Sequence, residues 1–147
     1  MYGTLREGYQ QCTVKKEIER DLHYIGAGMI NGLLYDLGKY PGAVEGNQRE
    51  KIIGDVYRMN NPDRVLEILD QYEGYSIASP NVSEFVRKES KVRLNEEKDI
   101  IAWIYWYNGG YRDKILIKNK DYLNYLGNKE KVINYGVDGI NHKNKTY

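Results

Sequence analysis

The sequence predicts an α+β domain whose sheet curls toward a barrel. Several segments carry the β-branched and aromatic content of strands, and glycines interrupt some of them, as happens where a strand bends or bulges. One amphipathic helix with clear start and stop signals lies between the second and third of these strands. The chain has 147 residues, 41% of them hydrophobic and 29% charged, which suits one compact core and one site.

The elements are expected in the following order. Thr13 to Leu22 is a weak helix candidate. Tyr24 to Leu37 alternates loosely, with Gly26, Gly28 and Gly32 set among Ile25, Met29, Leu33 and Tyr35, and is expected to be a bent strand. A turn is expected around Tyr40, Pro41 and Gly42. Ile52 to Met59 forms the second strand. The helix then opens with Asn61 as N-cap and Pro62 at its first position. It carries Val65, Leu66, Leu69 and Tyr72 on one stripe and stops at Gly74. Glu84 to Leu94 is the third strand. Ile100 to Tyr107, nearly continuous in apolar and aromatic residues, is expected to be buried on both faces. A short helix is expected over Lys120 to Leu126. No linker divides residues 1–135, which are taken as one domain. Residues 136–147, rich in Lys and Asn around His142, are expected to be a loosely packed tail.

Composition narrows the function classes. Twenty-two basic and twenty-one acidic residues give a formal net charge of +1, so no bulk attraction to nucleic acid or anionic membrane is expected, and a small molecule is the expected partner. Cys12 is the single cysteine, which excludes an internal disulfide and a cysteine-based zinc cluster and suits a reducing compartment. No apolar run approaches the roughly 18 to 20 residues of a membrane span, and Met1 is not followed by a leader pattern, so a cytoplasmic protein is expected. Fifteen tyrosines stand against one phenylalanine. Rings with a polar tip suit wet cavity walls, although a Lys- and Asn-rich composition can also simply use Tyr in place of Phe.

Glu73 is the most informative residue. It follows Leu66 by seven positions and Leu69 by four, so a regular helix places its carboxyl on the core-facing stripe. Burial and the negative end of the helix dipole would both raise its affinity for a proton, as general acid-base work requires. The alternative is a helix that frays first, leaving the side chain in water. Tyr2, Gly3, Thr4, Leu5 and Arg6, followed by Gly8, form a second candidate: successive backbone N–H groups in such a turn can hold a carboxylate, and a plain turn is the alternative. His23 and His142 have no ligand-spaced neighbours, so no metal site is expected. Ser76, Ser79 and Cys12 lack the context of a catalytic nucleophile. The glycines at 26, 28 and 32 come close to a dinucleotide spacing, but no βαβ unit follows them.

Taken in order, these segments resemble the γ-glutamylcyclotransferase-like family, which includes the γ-glutamylamine cyclotransferases and the avirulence-induced AIG2-like proteins. The resemblance rests on six blocks that span nearly the whole chain: residues 2–8, residues 32–42, Gly54 to Tyr57, Leu69 to Tyr75, Glu84 to Arg87, and Ala102 to Tyr105. It implies a small mixed β-barrel with flanking helices and a cofactor-independent reaction. The substrate's α-amine attacks its own γ-carbonyl, an amine leaves, and 5-oxoproline forms. It further implies that Glu73 is the general acid/base and that Tyr2, Gly3, Thr4 and Leu5 hold the glutamyl group, with Phe85 lining the cavity where relatives often carry Tyr. Relatives usually place several apolar residues ahead of the Tyr-Gly-Thr-Leu block, whereas only Met1 stands there in this sequence. The barrel is therefore expected to need another segment, or strand exchange with a second chain. A rival function on the same fold is a non-catalytic module binding a small molecule or carrier. Nucleic-acid binding by the tail is opposed by the neutral overall charge.

Overall fold

The computed structural model describes residues 13–95, 97–118 and 120–127. Helix α1 (Thr13–Ile18) runs through a short 3-10 turn (Glu19–Asp21) into β1 (Leu22–Asp36), the spine of the sheet. Strand β1 pairs antiparallel with β3 (Lys51–Met59) over its first half and with β2 (Pro41–Glu45) over its second. Gly28 and Met29 also pair with β4 (Phe85–Leu94), and Tyr35 and Asp36 with the two-residue β6 (Ile115–Leu116). Strand β5 (Lys98–Tyr107) completes the order β2-β1-β4-β5. Helix α2 (Pro62–Glu73) lies between β3 and β4 in the chain, and residues 122–127 form a last helical turn.

The glycine-interrupted strand bends as its sequence implies. The β1–β3 register slips between Tyr24 and Gly26, which is a bulge. From Gly28 onward the even positions of β1 are buried, through Ile30, Gly32 and Leu34. Side chains are missing inside the curl because neighbours occupy the space. A Cβ on Gly28 would lie 2.7 Å from both Val56 Cγ2 and Val92 Cγ1, and one on Gly32 would lie 2.9 Å from the Val44 carbonyl oxygen. Two apolar clusters result. Ile30, Leu34, Ile52, Val92, Ile104 and Trp106 fill the hollow of the sheet. Ile18, Val65, Leu69, Phe85 and Tyr105 join α1 and α2 to β4 and β5.

Several expectations need correction. The described strands pair only antiparallel and form a curled, open sheet; no β3–β5 pairing closes it into the mixed barrel that was expected. Pro41 and Gly42 are not a turn but the start of β2, where a proline is tolerated as a first strand residue. Burial on both faces of β5 is confined to Ile104, Tyr105 and Trp106; Ile101 and Trp103 remain 64% and 42% exposed. No described helix is long and apolar enough to cross a membrane. The tail over residues 136–147 and the strand exchange invoked for the N-terminus fall outside the described residues.

The close approach at Gly32 is testable. Gly32→Ala would drive a methyl group against Ile52 Cδ1 at 2.8 Å and the Val44 carbonyl, and it is expected to lose about 1–3 kcal/mol in urea unfolding. Gly110→Ala, where no neighbour lies within 4 Å, is expected to stay within about 0.5 kcal/mol of the parent. Equal midpoints for the two variants would mean that the curl does not rest on that contact.

Candidate active site

The site begins with the way α2 ends. Asn61 caps the first turn by accepting from the Arg64 N–H at 3.5 Å, and Pro62 occupies the first helical position. At the other end Gly74 turns into the left-handed region, with φ 63°. The Tyr75 N–H then bonds back to the Asp70 carbonyl at 2.9 Å and the Gly74 N–H to that of Gln71 at 3.4 Å. This double closure is a Schellman turn, and it fixes Glu73 as the last residue of the helix. The helix therefore does not fray before Glu73.

The carboxyl group lines a cavity of about 500 Å³. Strands β1, β3 and β5 form its walls, with α2 alongside. Leu66 and Leu69, two turns and one turn before Glu73, line the same cavity, as the helical stripe requires. Tyr40, Glu84 and Phe85 meet Glu73 there. The Tyr40 hydroxyl donates to Glu84 Oε1, and the Tyr40 ring packs 6.0 Å from that of Phe85. The Glu84 N–H bonds to the Gly74 carbonyl at 3.3 Å, so the second carboxylate is tied to the turn that presents the first.

The electrostatics follow from this geometry. Burial pushes the Glu73 carboxyl up to about 7, and the negative charge of Glu84 acts in the same direction. No basic residue stands in the last turn of α2 to offset the helix dipole. The phenol of Tyr40 is pushed up to about 12, chiefly because it donates to Glu84, so it remains a donor at neutral pH. A carboxyl group that exchanges its proton near neutrality, beside a fixed phenolic donor, can both take up and release a proton in one reaction cycle.

A second network anchors the helix end. Asp70 lies one turn before Glu73 and faces β4 and β5. Arg87 Nη2 donates to Asp70 Oδ2 at 3.2 Å, and Arg87 Nε lies 3.0 Å from Oδ1, an ion-pair distance off the line of a hydrogen bond. The Tyr105 hydroxyl donates to Oδ1 at 2.5 Å. Burial, and then the bond to Asp70, push the Tyr105 phenol far up. Arg87 and Tyr105 are direct cross-strand neighbours in the β4–β5 ladder. The Arg87 guanidinium also lies over the rings of Trp103, at 4.7 Å, and Tyr75, at 5.6 Å.

Of the residues singled out in the sequence, Glu73 and Phe85 come together in the cavity. Tyr2, Gly3, Thr4 and Leu5 lie outside the described residues, as do Cys12 and His142; His23 is exposed on β1. Sequence reasoning missed Tyr40 and Glu84 as neighbours of Glu73, and missed the Asp70, Arg87 and Tyr105 network. One signal was available. Period two along β4 puts Arg87 on the face of Phe85, a core-facing position that a cation occupies only with a partner.

Comparison with known proteins supplies the remaining finding. Residues 1–124 match the family model described as gamma-glutamyl cyclotransferase, AIG2-like. The chain is 28% identical over 129 residues to the Methanocaldococcus jannaschii protein named "Putative gamma-glutamylcyclotransferase MJ1514", covering 86% of this chain and 96% of the relative. It is 30% identical over 128 residues to a Vibrio cholerae protein of like name, covering 83% and 91%. Its fold is similar to the solution structure of YtfP from Escherichia coli, with a TM-score of 0.57, 27% identity, and coverage of 80% of this chain and 89% of that one. The family match across most of the sequence, the curled antiparallel sheet and the acidic cavity at the close of α2 agree, and the chain belongs to the γ-glutamyl cyclotransferase, AIG2-like, family.

Proposed function

We propose that the protein is a γ-glutamylamine cyclotransferase in which Glu73 moves the proton. The observation that carries this reading is the placement of one carboxyl group, rigidly presented by the Gly74 turn and pushed up to about 7, in the wall of a cavity of about 500 Å³. A cavity of this size suits a small amide substrate.

In the proposed reaction ionised Glu73 accepts a proton from the substrate's α-ammonium group. The freed nitrogen attacks the γ-carbonyl carbon, a new C–N bond closes the five-membered ring, and the carbonyl oxygen takes up negative charge. Protonated Glu73 then gives its proton to the departing nitrogen as the original amide C–N bond breaks, and the ring nitrogen passes its remaining extra proton to the released amine, leaving 5-oxoproline and an ammonium product. Atoms and charge balance without water or cofactor. The nucleophile belongs to the substrate, so the protein contributes a near-attack shape, charge stabilisation and one proton relay. Tyr2, Gly3, Thr4 and Leu5 are proposed to hold the glutamyl group by their backbone, with the Phe85 ring against the bound chain. The name-level support comes from the relatives in M. jannaschii and V. cholerae.

Two outcomes test the role of Glu73. Incubation with a panel of γ-glutamylamines should release 5-oxoproline, and Glu73→Gln should lower that release by at least about a hundredfold, the scale of a lost acid-base group. Normal turnover by the Gln variant would rule the mechanism out. With the base required in its ionised form, kcat/KM of the parent should rise with pH through an acid limb centred near 7.

The same shift makes a stability prediction with a definite sign. A carboxyl whose folded pKa of about 7 stands above its ordinary 4.5 binds its proton more tightly in the folded state. The parent therefore loses stability as pH rises between those two values. Glu73→Gln cannot ionise, so it should match the parent near pH 4 and exceed it at pH 8, by about 1–3 kcal/mol, in thermal or urea unfolding. A variant less stable than the parent at pH 8 would contradict the burial of this charge.

A further inference from the structure

We propose that Asp70, Arg87 and Tyr105 form a positioning clamp that holds the Glu73–Gly74 turn in place for proton transfer. The inference rests on the function proposed above and concerns residues that do not line up with any of its steps.

The clamp grips the turn from both sides. Ahead of Glu73, the Asp70 carboxylate is held by two separate groups, the Arg87 guanidinium and the Tyr105 hydroxyl, on adjacent strands of the sheet. Beyond Glu73, Tyr75 returns its N–H to the Asp70 carbonyl at 2.9 Å and offers its ring to the same guanidinium at 5.6 Å. One aspartate thus receives its main-chain bond from one side of the turn and its side-chain bonds from the sheet. The same guanidinium lies over the Trp103 ring at 4.7 Å, a second aromatic face for the cation. Arg87 and Tyr105 sit opposite each other in the continuous β4–β5 ladder, so both reach Asp70 from one frame of main-chain bonds. The last turn of α2 is thereby referenced to the sheet that carries the cavity wall, and a displacement of about 1 Å at a reacting group costs on the order of a hundredfold in rate.

A bond that merely added stability could be lost without moving Glu73. A positioning clamp cannot. Tyr105→Phe removes one hydroxyl and no charge, so it isolates the effect of geometry. Arg87→Met keeps the length of the side chain and removes the cation, and Arg87→Lys restores a cation without the two-point grip. If the turn loosens, Glu73 gains access to water and its pKa falls toward the ordinary carboxylate range. Loss of a nearby cation acting through space would shift it in the opposite direction, upward. Glu84 and Tyr40, which also act on Glu73, are unchanged in all three variants, and the Tyr105 phenol, pushed far up by burial, carries no charge that its removal in Tyr105→Phe could take away. The sign of the shift therefore separates displacement from simple electrostatics.

The experiment combines two measurements on each folded variant: turnover of γ-glutamyl-lysine and γ-glutamylanilide to 5-oxoproline, and titration of the Glu73 carboxyl by carbon-13 NMR. Tyr105→Phe and Arg87→Met are expected to lower kcat by ten- to a hundredfold with KM within threefold of the parent, with partial recovery in Arg87→Lys. The Glu73 titration midpoint is expected to fall in both. Unchanged kcat and midpoint in a folded Tyr105→Phe and Arg87→Met pair would overturn the clamp, as would an upward midpoint. The NMR titration reports on the clamp even if neither amide is turned over, so failure of the proposed function and failure of the clamp give different results.

Discussion

One strand has to satisfy four others, and that constraint shapes the molecule. The fifteen residues of β1 supply hydrogen-bonding edges to β2, β3, β4 and β6. A strand of this length twists, and the bulge at Gly26 sharpens the twist, so its two halves face different partners. The sheet then curls around Ile30, Leu34 and Ile52. Gly28 and Gly32 let the walls close to contact without a side chain between them. The cavity is the space this curl encloses beside α2, and the helix could not present a side chain to it if the sheet were flat.

Within this frame the end of α2 meets two opposed demands. A proton-transferring carboxyl group must be withdrawn from water to hold its proton near neutrality, yet burying a charge without a partner is costly. The chain places that cost on one residue and secures the surrounding turn by other means. Gly74 adopts the left-handed conformation that an L side chain resists, two main-chain bonds close the helix, and Asp70 ties the last turn to β4 and β5. Packing of Val65 and Leu69 against Ile18, Phe85 and Tyr105 supplies the apolar burial that opposes the penalty.

Much of this architecture was legible in the sequence, for reasons that are local. Asn61, Pro62 and Gly74 mark helix ends through backbone chemistry that acts within a few residues, and the observed α2 agrees with them. The glycines of β1 announced a bend, and the bulge lies at Gly26. What escaped was set by long-range geometry. Strand β2 begins at Pro41, a residue that reads as a turn and becomes a strand only because β1 offers it an edge. Ile101 and Trp103 looked like core and stand exposed, because burial on β5 depends on which elements the fold packs against each face, and an apolar run does not show that. Glu84 sits ten residues beyond Gly74 in the chain, and only the fold returns it to the turn. The excess of tyrosine carried part of this information: Tyr40, Tyr105 and Tyr125 each direct the hydroxyl to a carboxylate, of Glu84, Asp70 and Asp36 respectively, while the ring packs against apolar neighbours.

The two acidic residues one helical turn apart divide the electrostatic roles between them. Asp70 takes the guanidinium of Arg87, while burial is the largest influence on Glu73 and the negative neighbour Glu84 adds to it. Had Arg87 paired with Glu73 instead, the cation would have held that carboxyl in its ionised form, fit to accept a proton only weakly and unfit to return one. Asp70 therefore does more than fasten the helix. By occupying the cation it leaves Glu73 free to stay near neutrality, and the same contact that fixes the position of the acid also protects its proton affinity. Position and proton affinity are usually set by separate groups; here the spacing of a single helical turn lets one ion pair serve both.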